Sequence, residues 1–500
     1  TLTIASTIEQ QRAATEEIAR SVSFAAQGTQ EVAHTIGAVN EAADGYDSIE
    51  WVSTQSWCNG VVGMFGDSYY GFTQWAAISA AHPALKAWVP RVTSHDLFAT
   101  WSADGVQDVP WAVMGNYLAH YWIDNEIQDY PIDYSRRPFI DAFEDGFRRV
   151  GARSRLFDLL VPEPQPMDLF PFGHPYDAPP VPVMHVVGWF DNLLIVSMRD
   201  YEALAQRPGW AEVQYLWADS TDHENYHLSL APIAESDDHL LDEAALTKML
   251  TIYADPAIEF FDVFLKGDRP VESFPRVQWH HGHVGYREAD SWPPPGAQTR
   301  ELFLSRLADA AAAGTGGHLG GEPAGADESV EWSYDPSDLV PSTVENSFAY
   351  LHDYPDEQSL LARHDALTFY AEPTTAPVDL AGPVSLALRV DSSAPTADVF
   401  VKLYDVDAGG VAKLVARGQG TVLEPGADRT VEIGMGHVGY RLRPGHRFCL
   451  AVLPSDFPEF VPHPGTSENR WTAVQTSVAV HRIVGGAGTP VLRVTVLAHH

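Results

Sequence analysis

Hydrophobic positions follow three successive patterns along the chain. Over residues 1–43, apolar or small side chains recur at alternating steps of four and three residues, for example at Ile18, Val22, Ala25 and Thr29. Because this spacing places one apolar seam along a helix, it predicts a long helix in a coiled coil over residues 1–43. A generic polar amphipathic helix is the alternative interpretation of the same spacing.

From residue 44, short apolar runs alternate with segments of helical pattern. The predicted strands are at 61–65, 181–189 and 213–217. The predicted helices are at 46–55, 72–81 and 240–265. Strands that alternate with helices indicate an α/β fold built on a parallel sheet. The stretch 93–180 is rich in aromatic residues, Asp and Pro and has helical patches, which predicts a helical insertion in that fold.

Beyond about residue 300, short alternating runs punctuated by Pro and Gly replace the helical pattern. These runs are at 384–390, 399–404, 411–415, 448–452 and 491–497. The pattern predicts an all-β domain, either a sandwich or a jelly roll, over residues 299–500. The Ala- and Gly-rich stretch 307–329 is predicted to be an exposed loop.

Charge and cysteine content narrow the possible functions. Acidic residues outnumber basic ones by 67 to 31, which gives a formal net charge of −36 over 500 residues. Such a surface repels phosphate backbones and anionic lipids, so nucleic acids and membrane surfaces are not expected partners. No apolar run approaches the roughly 18–20 residues of a membrane helix, so no membrane insertion is expected. Cys58 and Cys449 are isolated in the sequence and are expected to be ordinary buried thiols of a reduced, cytoplasmic protein.

The turn Gly66-Asp67-Ser68-Tyr69-Tyr70-Gly71 is the sharpest candidate for chemistry. It lies between a predicted strand and a predicted helix, which is the context in which a turn exposes a serine Oγ as a nucleophile. Small residues before and after such a serine allow the strand and the helix to pack closely. Ser68 is therefore a candidate nucleophile, and a plain turn is the alternative interpretation.

An acid and a base follow two of the other predicted strands. Asp191 and His223 each lie just past the carboxyl end of an apolar run. Since ligands bind at the carboxyl ends of strands in open α/β sheets, both side chains are expected near Ser68. The order Ser, Asp, His is that of α/β-hydrolases. Taken singly, Asp191 is better explained as a helix N-cap and His223 as a surface histidine, but their combination with Ser68 favours a catalytic role for both. His227 is a weaker candidate for the base.

The run Trp279-His280-His281-Gly282-His283 is a candidate for a metal site. On a strand, alternation sends His281 and His283 to one face and His280 to the other. No acidic residue has ligand spacing to them, so an exposed polar strand is the preferred interpretation. No metal and no cofactor is therefore expected.

Residues 44–500 resemble the CocE/NonD group of hydrolases, which includes cocaine esterase and X-Pro dipeptidyl-peptidases. The resemblance rests on the segments YDSIEWVSTQSWCNGVVGMFGDSYYGFTQW, GWFDN, DHENYH, EFFDVFLKG, DSWPPPG, DALTFYAEP, AGPVSLALRV and LRPGHRFCLAVLPSDFPEF. The motif G-x-S-Y-x-G, with Tyr directly after the serine, is specific to that family. The resemblance implies an α/β-hydrolase core over 44–92 and 181–298, an inserted helical cap over 93–180, and a C-terminal jelly roll over 299–500.

The same resemblance implies a role for each candidate residue. Ser68 would be the nucleophile, Asp191 the orienting acid and His223 the general base. The backbone N–H of Tyr69 would donate to the oxyanion. Amino-acid-ester hydrolases of the superfamily carry carboxylates directly after the triad acid, whereas this chain has Asn192, Leu193 and Leu194, which argues against amino-acid esters as substrates.

The N-terminal segment departs from the family. Family members have further strands there, and a loop among them supplies a tyrosine hydroxyl as a second oxyanion donor. Residues 1–43 of this chain instead resemble the signalling helix of methyl-accepting chemotaxis receptors, in the words IEQQRAATEEIARSV, AAQGTQEV and IGAVNEAA. The strand before Ser68 is therefore expected to be an unpaired edge of the sheet.

Together these features predict a serine hydrolase of ester or peptide-type amide bonds, of the carboxylesterase or X-Pro dipeptidyl-peptidase type. Its expected partner is a small ester or a short peptide. The alternative is a catalytically impaired chimeric scaffold whose residues 1–43 mediate self-association through a coiled coil.

Overall fold

A computed structural model describes residues 41–97, 132–151, 153–165, 169–224, 247, 250–311, 315–344, 347–426 and 429–498. Most of the coiled coil predicted over residues 1–43 lies outside the described residues, and so does His227. The receptor-like helix therefore stays a prediction.

Six strands form the core sheet, in the spatial order β1 to β6. They are β1 (Val62–Asp67), β2 (Leu85–Arg91), β3 (Val183–Gly188), β4 (Gln214–Asp219), β5 (Val277–His281) and β6 (Gly285–Ala289). Strands β1 to β5 run parallel, and β6 returns antiparallel beside β5. Each parallel connection crosses over through helical structure, as an α/β fold requires. The strands predicted at 61–65, 181–189 and 213–217 are confirmed as β1, β3 and β4.

Helices of this region pack on the core sheet, apart from two in the segment between β2 and β3, which join a separate hydrophobic cluster around Trp471. The helices are α1 (Glu41–Thr54), α2 (Ser68–Ser79), α3 (Asp141–Val150), α4 (Arg155–Leu160), α5 (Leu194–Ala205), α6 (Trp210–Val213) and α7 (Asp255–Phe261). In α2, Phe72, Trp75 and Ile78 are all at most 2% exposed. Burying each such side chain contributes roughly 1.5–3 kcal/mol, so α2 is held firmly where it leaves β1.

Strand β1 lies at one edge of the core sheet within the described residues. Its hydrogen-bonded neighbour there is β2, with Asp67 in register with Arg91. Most of its residues are only partly buried, whereas all six residues of β3 are buried. Among the described residues the strand before Ser68 therefore has the edge position that the sequence predicted.

The inserted segment between β2 and β3 joins the core to the C-terminal region. In its described part, Phe139, Phe143 and Phe157 surround Trp471, which belongs to the C-terminal half of the chain. Aromatic pairs of this kind contribute about 0.5–1.5 kcal/mol each beyond the area they bury. The insertion is therefore packed against the β domain as well as against the core.

The C-terminal region is all-β apart from short helices. A nine-stranded sheet has the order β14-β13-β16-β10-β8-β7-β18-β11-β15, and a three-stranded sheet has the order β12-β17-β9. The strands are β7 (Ala297–Ser305), β8 (Gly317–Gly320), β9 (Ser329–Tyr334), β10 (Leu367–Tyr370), β11 (Val378–Leu388), β12 (Val390–Ser392), β13 (Ala397–Val406), β14 (Ala412–Val422), β15 (Val431–Leu442), β16 (Arg447–Leu453), β17 (Ala479–Val484) and β18 (Val491–Leu497). Two short helices, α8 (Tyr350–Asp353) and α9 (Gln358–Leu361), lie between β9 and β10.

The prediction that 307–329 is an exposed loop is wrong for its first part, whereas residues 321–328 lie outside any strand and are mostly exposed. The stretch contains β8, which pairs with β7 and β10, and Leu307 and Leu319 are at most 1% exposed. A Cβ on Gly317 would come within 2.6 Å of the Phe369 ring, so glycine here serves close packing. In β8 the small residues allow the strands to pack tightly. The same Ala- and Gly-rich composition is also typical of flexible loops, so composition does not distinguish the two.

No helix in the described part of the chain is long and apolar enough to cross a membrane. Cys449 is fully buried on β16, as predicted for an ordinary core thiol, whereas Cys58 is only partly buried.

Candidate active site

Ser68 occupies a strained turn between β1 and α2. Strand β1 ends at Asp67 and the helix begins at Ser68 itself, whose φ of 53° lies in the left-handed region. A residue with a Cβ rarely adopts that conformation. Strain of this kind is characteristic of the elbow that presents a nucleophile at the end of a strand.

Two glycines make the elbow sterically possible. A Cβ on Gly66 would lie 2.8 Å from the Cβ of Tyr70, and one on Gly71 would lie 2.8 Å from the Cβ of Thr93. Thr93 in turn donates a hydrogen bond from Oγ1 to the Ser68 carbonyl oxygen, at 2.6 Å. The turn, the helix and the segment after β2 therefore approach so closely that only glycine fits at positions 66 and 71.

Asp191 and His223 form a hydrogen-bonded pair at the carboxyl ends of β3 and β4. The Nδ1 atom of His223 lies 2.9 Å from Oδ2 of Asp191. The other oxygen of Asp191 accepts a hydrogen bond from the backbone N–H of Leu193, at 2.5 Å. The Asp191 side chain is 1% exposed and that of His223 is 13% exposed. The carboxylate is thus shielded from water, and each of its two oxygens has a hydrogen-bond partner.

Opposing influences act on the pKa of His223, and the result is a raised value. Burial of the ring, the largest influence, lowers the pKa. The charge and hydrogen bond of Asp191 raise it, and the charges of Asp67 and Glu224 add to that effect. The carboxylates outweigh burial because each stabilises the imidazolium form directly.

The elbow and the Asp–His pair lie at the same end of the core sheet, where the parallel strands have their carboxyl ends. Asp67, one residue before Ser68, is close enough for its charge to act on His223. Within the described residues no hydrogen bond joins Ser68 Oγ to His223. Such contacts are often long in unliganded enzymes and shorten when substrate binds.

Tyr69 and Tyr46 make contacts away from the position of a substrate carbonyl. The hydroxyl of Tyr69 donates to Oε1 of Glu41 on α1, at 2.5 Å. Tyr46 packs edge-on against His82, with ring centroids 4.5 Å apart. Neither contact places a hydroxyl toward a carbonyl oxygen bound at Ser68, which leaves the backbone N–H of Tyr69 as the candidate oxyanion donor among these groups.

The positions after Asp191 carry no carboxylate. Leu193 and Leu194 are buried in the hydrophobic core. The side-chain oxygen and nitrogen of Asn192 are buried without a hydrogen-bond partner in the described structure. These positions therefore give no negative charge to hold a substrate ammonium group.

The histidines after Trp279 are structural in the described contacts. His280 Nδ1 lies 2.7 Å from Ser220 Oγ, His281 pairs with Asp379 at 3.3 Å, and His283 lies 3.0 Å from the Tyr440 hydroxyl. His280 and His281 are at most 5% exposed on β5, so the expectation of an exposed polar strand is wrong. The strand is covered because the β domain packs on it. No group of three or more candidate metal ligands occurs among the residues described.

A residue that the sequence does not indicate lies on the other side of His223. Phe348, from the segment between β9 and β10, packs its ring against that of His223 with centroids 5.1 Å apart. Its carbonyl oxygen accepts a hydrogen bond from the His223 backbone N–H, at 3.1 Å. Nothing in the local sequence around Phe348 signals this contact, because it depends on how two distant parts of the chain pack.

Comparison with known families matches both halves of the chain. Residues 23–225 match the X-Pro dipeptidyl-peptidase family (S15 family). Residues 271–491 match the C-terminal non-catalytic domain of X-Pro dipeptidyl-peptidases. The first match begins inside the segment 1–43, so it overlaps the predicted receptor-like helix.

Individual proteins agree with these matches. The chain is 28% identical over 466 residues to cocaine esterase of Rhodococcus sp. (strain MB1 Bresler), which covers 84% of this chain and 78% of that protein. An aminopeptidase from a marine sediment archaeon, Thaumarchaeota archaeon, superposes with a TM-score of 0.74 at 22% identity, covering 93% of this chain and 81% of the other. An α-amino acid ester hydrolase superposes with a TM-score of 0.72 at 22% identity, and the match covers 92% of this chain and 80% of that hydrolase. The two structural matches show a shared fold, an α/β-hydrolase with a C-terminal β domain.

Proposed function

We propose that this chain, a member of the hydrolase family that includes the X-Pro dipeptidyl-peptidases and cocaine esterase, is a serine hydrolase of ester or peptide-type amide bonds. The observation that carries the proposal is the Asp191–His223 pair at the same sheet edge as the strained Ser68. A nucleophile, a base and an acid that orients the base are the parts that acyl transfer needs.

The proposed reaction begins when Ser68 Oγ attacks the substrate carbonyl carbon. The Oγ proton passes to Nε2 of His223, while the Asp191 carboxylate holds Nδ1–H and stabilises the imidazolium. The tetrahedral intermediate then collapses, the bond to the leaving group breaks, and His223 returns the proton to that group. Water attacks the acyl-enzyme with the same base, which releases the acid and restores Ser68.

The backbone N–H of Tyr69 is the proposed oxyanion donor. It belongs to the residue directly after the nucleophile, at the start of α2, where N–H groups have no partner within the helix. Losing one donor of this kind typically costs about 10²–10³ in rate. Because this donor is a backbone group, substitution of the Tyr69 side chain tests it only indirectly.

The substrate class follows from the relatives and from the site. Cocaine esterase is similar in sequence, and an aminopeptidase and an α-amino acid ester hydrolase share the fold, so esters and short peptides are both candidate substrates. Leu193 and Leu194 stand where a carboxylate would be needed to hold an ammonium group beside Asp191. We therefore propose that uncharged acyl groups are preferred over free amino-acid esters.

Labelling with a fluorophosphonate probe tests the proposal. We expect the wild-type chain to be labelled and Ser68→Ala to be unlabelled. Ser79→Ala is the matched control, because Ser79 lies on the same helix with its hydroxyl bonded to the Ala76 carbonyl oxygen. A panel of p-nitrophenyl esters and X-Pro anilides then distinguishes esterase from peptidase activity. A folded wild-type chain without label would contradict the proposal and favour an inactive scaffold.

A further inference from the structure

The loop that carries His223 is tied to a segment of the β domain. The backbone N–H groups of His223 and Glu224 both donate to the Phe348 carbonyl oxygen, at 3.1 and 3.2 Å. Asp222 accepts two further backbone hydrogen bonds, from Glu224 at 2.9 Å and from Leu351 at 2.6 Å. The carboxylate of Asp222 thus bridges the histidine loop and α8.

The ring of Phe348 covers the imidazole of His223. The two rings meet at an interplanar angle of 69°, with centroids 5.1 Å apart. His223 is only 13% exposed as a result of this and its other contacts. Phe348 therefore restricts both the position of the imidazole and the access of water to it.

The same segment also contacts the loop that carries Asp191. The ring of Tyr350 stacks almost parallel to that of Phe190, at an angle of 4° and a centroid distance of 6.4 Å. Phe190 directly precedes Asp191. One short stretch of the β domain therefore touches the loops of both members of the Asp–His pair.

A buried charge network fixes this stretch to the β sheet. Glu357 is fully buried and accepts hydrogen bonds from the hydroxyls of Tyr350, at 2.6 Å, and Tyr404, at 2.5 Å. Lys402, on the same strand as Tyr404, lies 3.6 Å from Glu357 and 3.0 Å from Asp456. The pKa of Glu357 is lowered. Burial alone would raise it, but the charge of Lys402 and the hydroxyl donors, which include Thr343 at 2.7 Å, outweigh burial. A buried, fully engaged carboxylate of this kind holds its partners in one arrangement.

We infer that residues 348–357 of the β domain are a positioning element for the proposed base, with Phe348 and Asp222 as the positioning residues. The inference rests on the proposed function, and it assigns a role in the reaction to a region whose family counterpart is described as non-catalytic. Placement matters because a displacement of about 1 Å in a reacting group can lower the rate about a hundredfold.

The pH dependence of the reaction separates positioning from simple stabilisation. The charged groups that act on His223 are Asp191, Asp67 and Glu224, and all three raise its pKa, whereas burial lowers it. Phe348 is uncharged and contributes burial. Removing its ring therefore raises the pKa of His223 further, and the acid limb of kcat/KM moves to higher pH.

The test compares Phe348→Ala, Phe348→Leu and Asp222→Asn in the full chain, with p-nitrophenyl butyrate as the probe. We expect kcat to fall between about tenfold and a hundredfold in Phe348→Ala with KM unchanged, and its acid limb to move to higher pH. Phe348→Leu, which keeps an apolar cover, should restore most of kcat. Asp222→Asn keeps the side-chain volume and loses one backbone hydrogen bond, so it should lower kcat without changing KM.

Phe303→Ala is the matched control, since Phe303 is also a half-buried phenylalanine of the β domain, on β7. It should lower Tm and leave kcat and the pH profile unchanged. The inference is overturned if Phe348→Ala and Asp222→Asn lower Tm but keep the wild-type kcat and acid limb. A wild-type chain that neither hydrolyses the ester nor takes the fluorophosphonate label would overturn the proposed function itself, and the inference with it.

Discussion

Arg91 donates a hydrogen bond from Nε to Oδ1 of Asp67 at 2.7 Å, and Asp67 is the residue directly before Ser68. The Arg91 guanidinium also lies over the Tyr253 ring, 4.5 Å from its centroid. The pair fixes a carboxylate beside the proposed nucleophile. Since that carboxylate raises the pKa of His223, the residue before the nucleophile contributes to the electrostatics of the base.

Asp67→Asn is predicted to lower the pKa of His223, because it removes one of the negative charges that stabilise the imidazolium. The base works only when it is neutral, so the acid limb of kcat/KM should move to lower pH. This direction is opposite to that expected for Phe348→Ala. Glu322→Gln, at an exposed site of the β domain, is the control, and an acid limb that stays in place in Asp67→Asn would count against the prediction.

Asp191→Asn is predicted to reduce kcat by about 10⁴, the loss typical when a triad acid becomes an amide and the wrong histidine tautomer is favoured. An Asp–His pair outside the proposed site serves as a control. Asp200 lies 2.6 Å from Nδ1 of His95 and is 1% exposed, yet it belongs to α5 and not to the strand ends. Asp200→Asn should leave kcat within a few-fold of wild type, whatever it does to Tm. Equal losses of kcat in the two variants would refute the assignment of Asp191.

The core of the site could be predicted because its signals are local. Strands β1, β3 and β4 are short apolar runs, and Ser68, Asp191 and His223 follow directly after them in the sequence. Strand β2 was missed because Lys86 and Pro90 interrupt its apolar run.

Contacts between distant parts of the chain could not be predicted in this way. Strand β8 was missed because its small residues are buried by partners far away in the sequence, such as Phe369. The contact of Phe348 with His223 has no local signal at all. It exists because the β domain packs on the carboxyl edge of the core sheet, which no periodicity along the chain records.

Gly71→Ala is predicted to damage both stability and activity. The added Cβ would lie 2.8 Å from the Cβ of Thr93 and 3.2 Å from the Gly66 carbonyl oxygen. Overpacking of this kind costs about 1–3 kcal/mol of unfolding free energy, and here it would also displace the elbow that carries Ser68. Urea unfolding and the rate of fluorophosphonate labelling measure the two effects. Gly321→Ala, which meets no atom within 4 Å, is the control and should change neither. Wild-type labelling by Gly71→Ala would show that the close packing is not needed.

Protonation of His185 is predicted to destabilise the fold in mild acid. His185 lies on β3 between Trp75 and Tyr201, with ring centroids 6.0 and 5.7 Å away, and burial lowers its pKa to about 4. The unfolded chain binds this proton near the usual value of 6.5, whereas the folded chain does not until about pH 4. Stability must therefore fall as the pH drops through that window, by up to about 3 kcal/mol from this group. Urea unfolding at pH 7 and pH 5 should show a smaller loss in His185→Gln than in the wild type. An equal loss in both proteins would mean that His185 is already protonated in the folded state or does not titrate in this range.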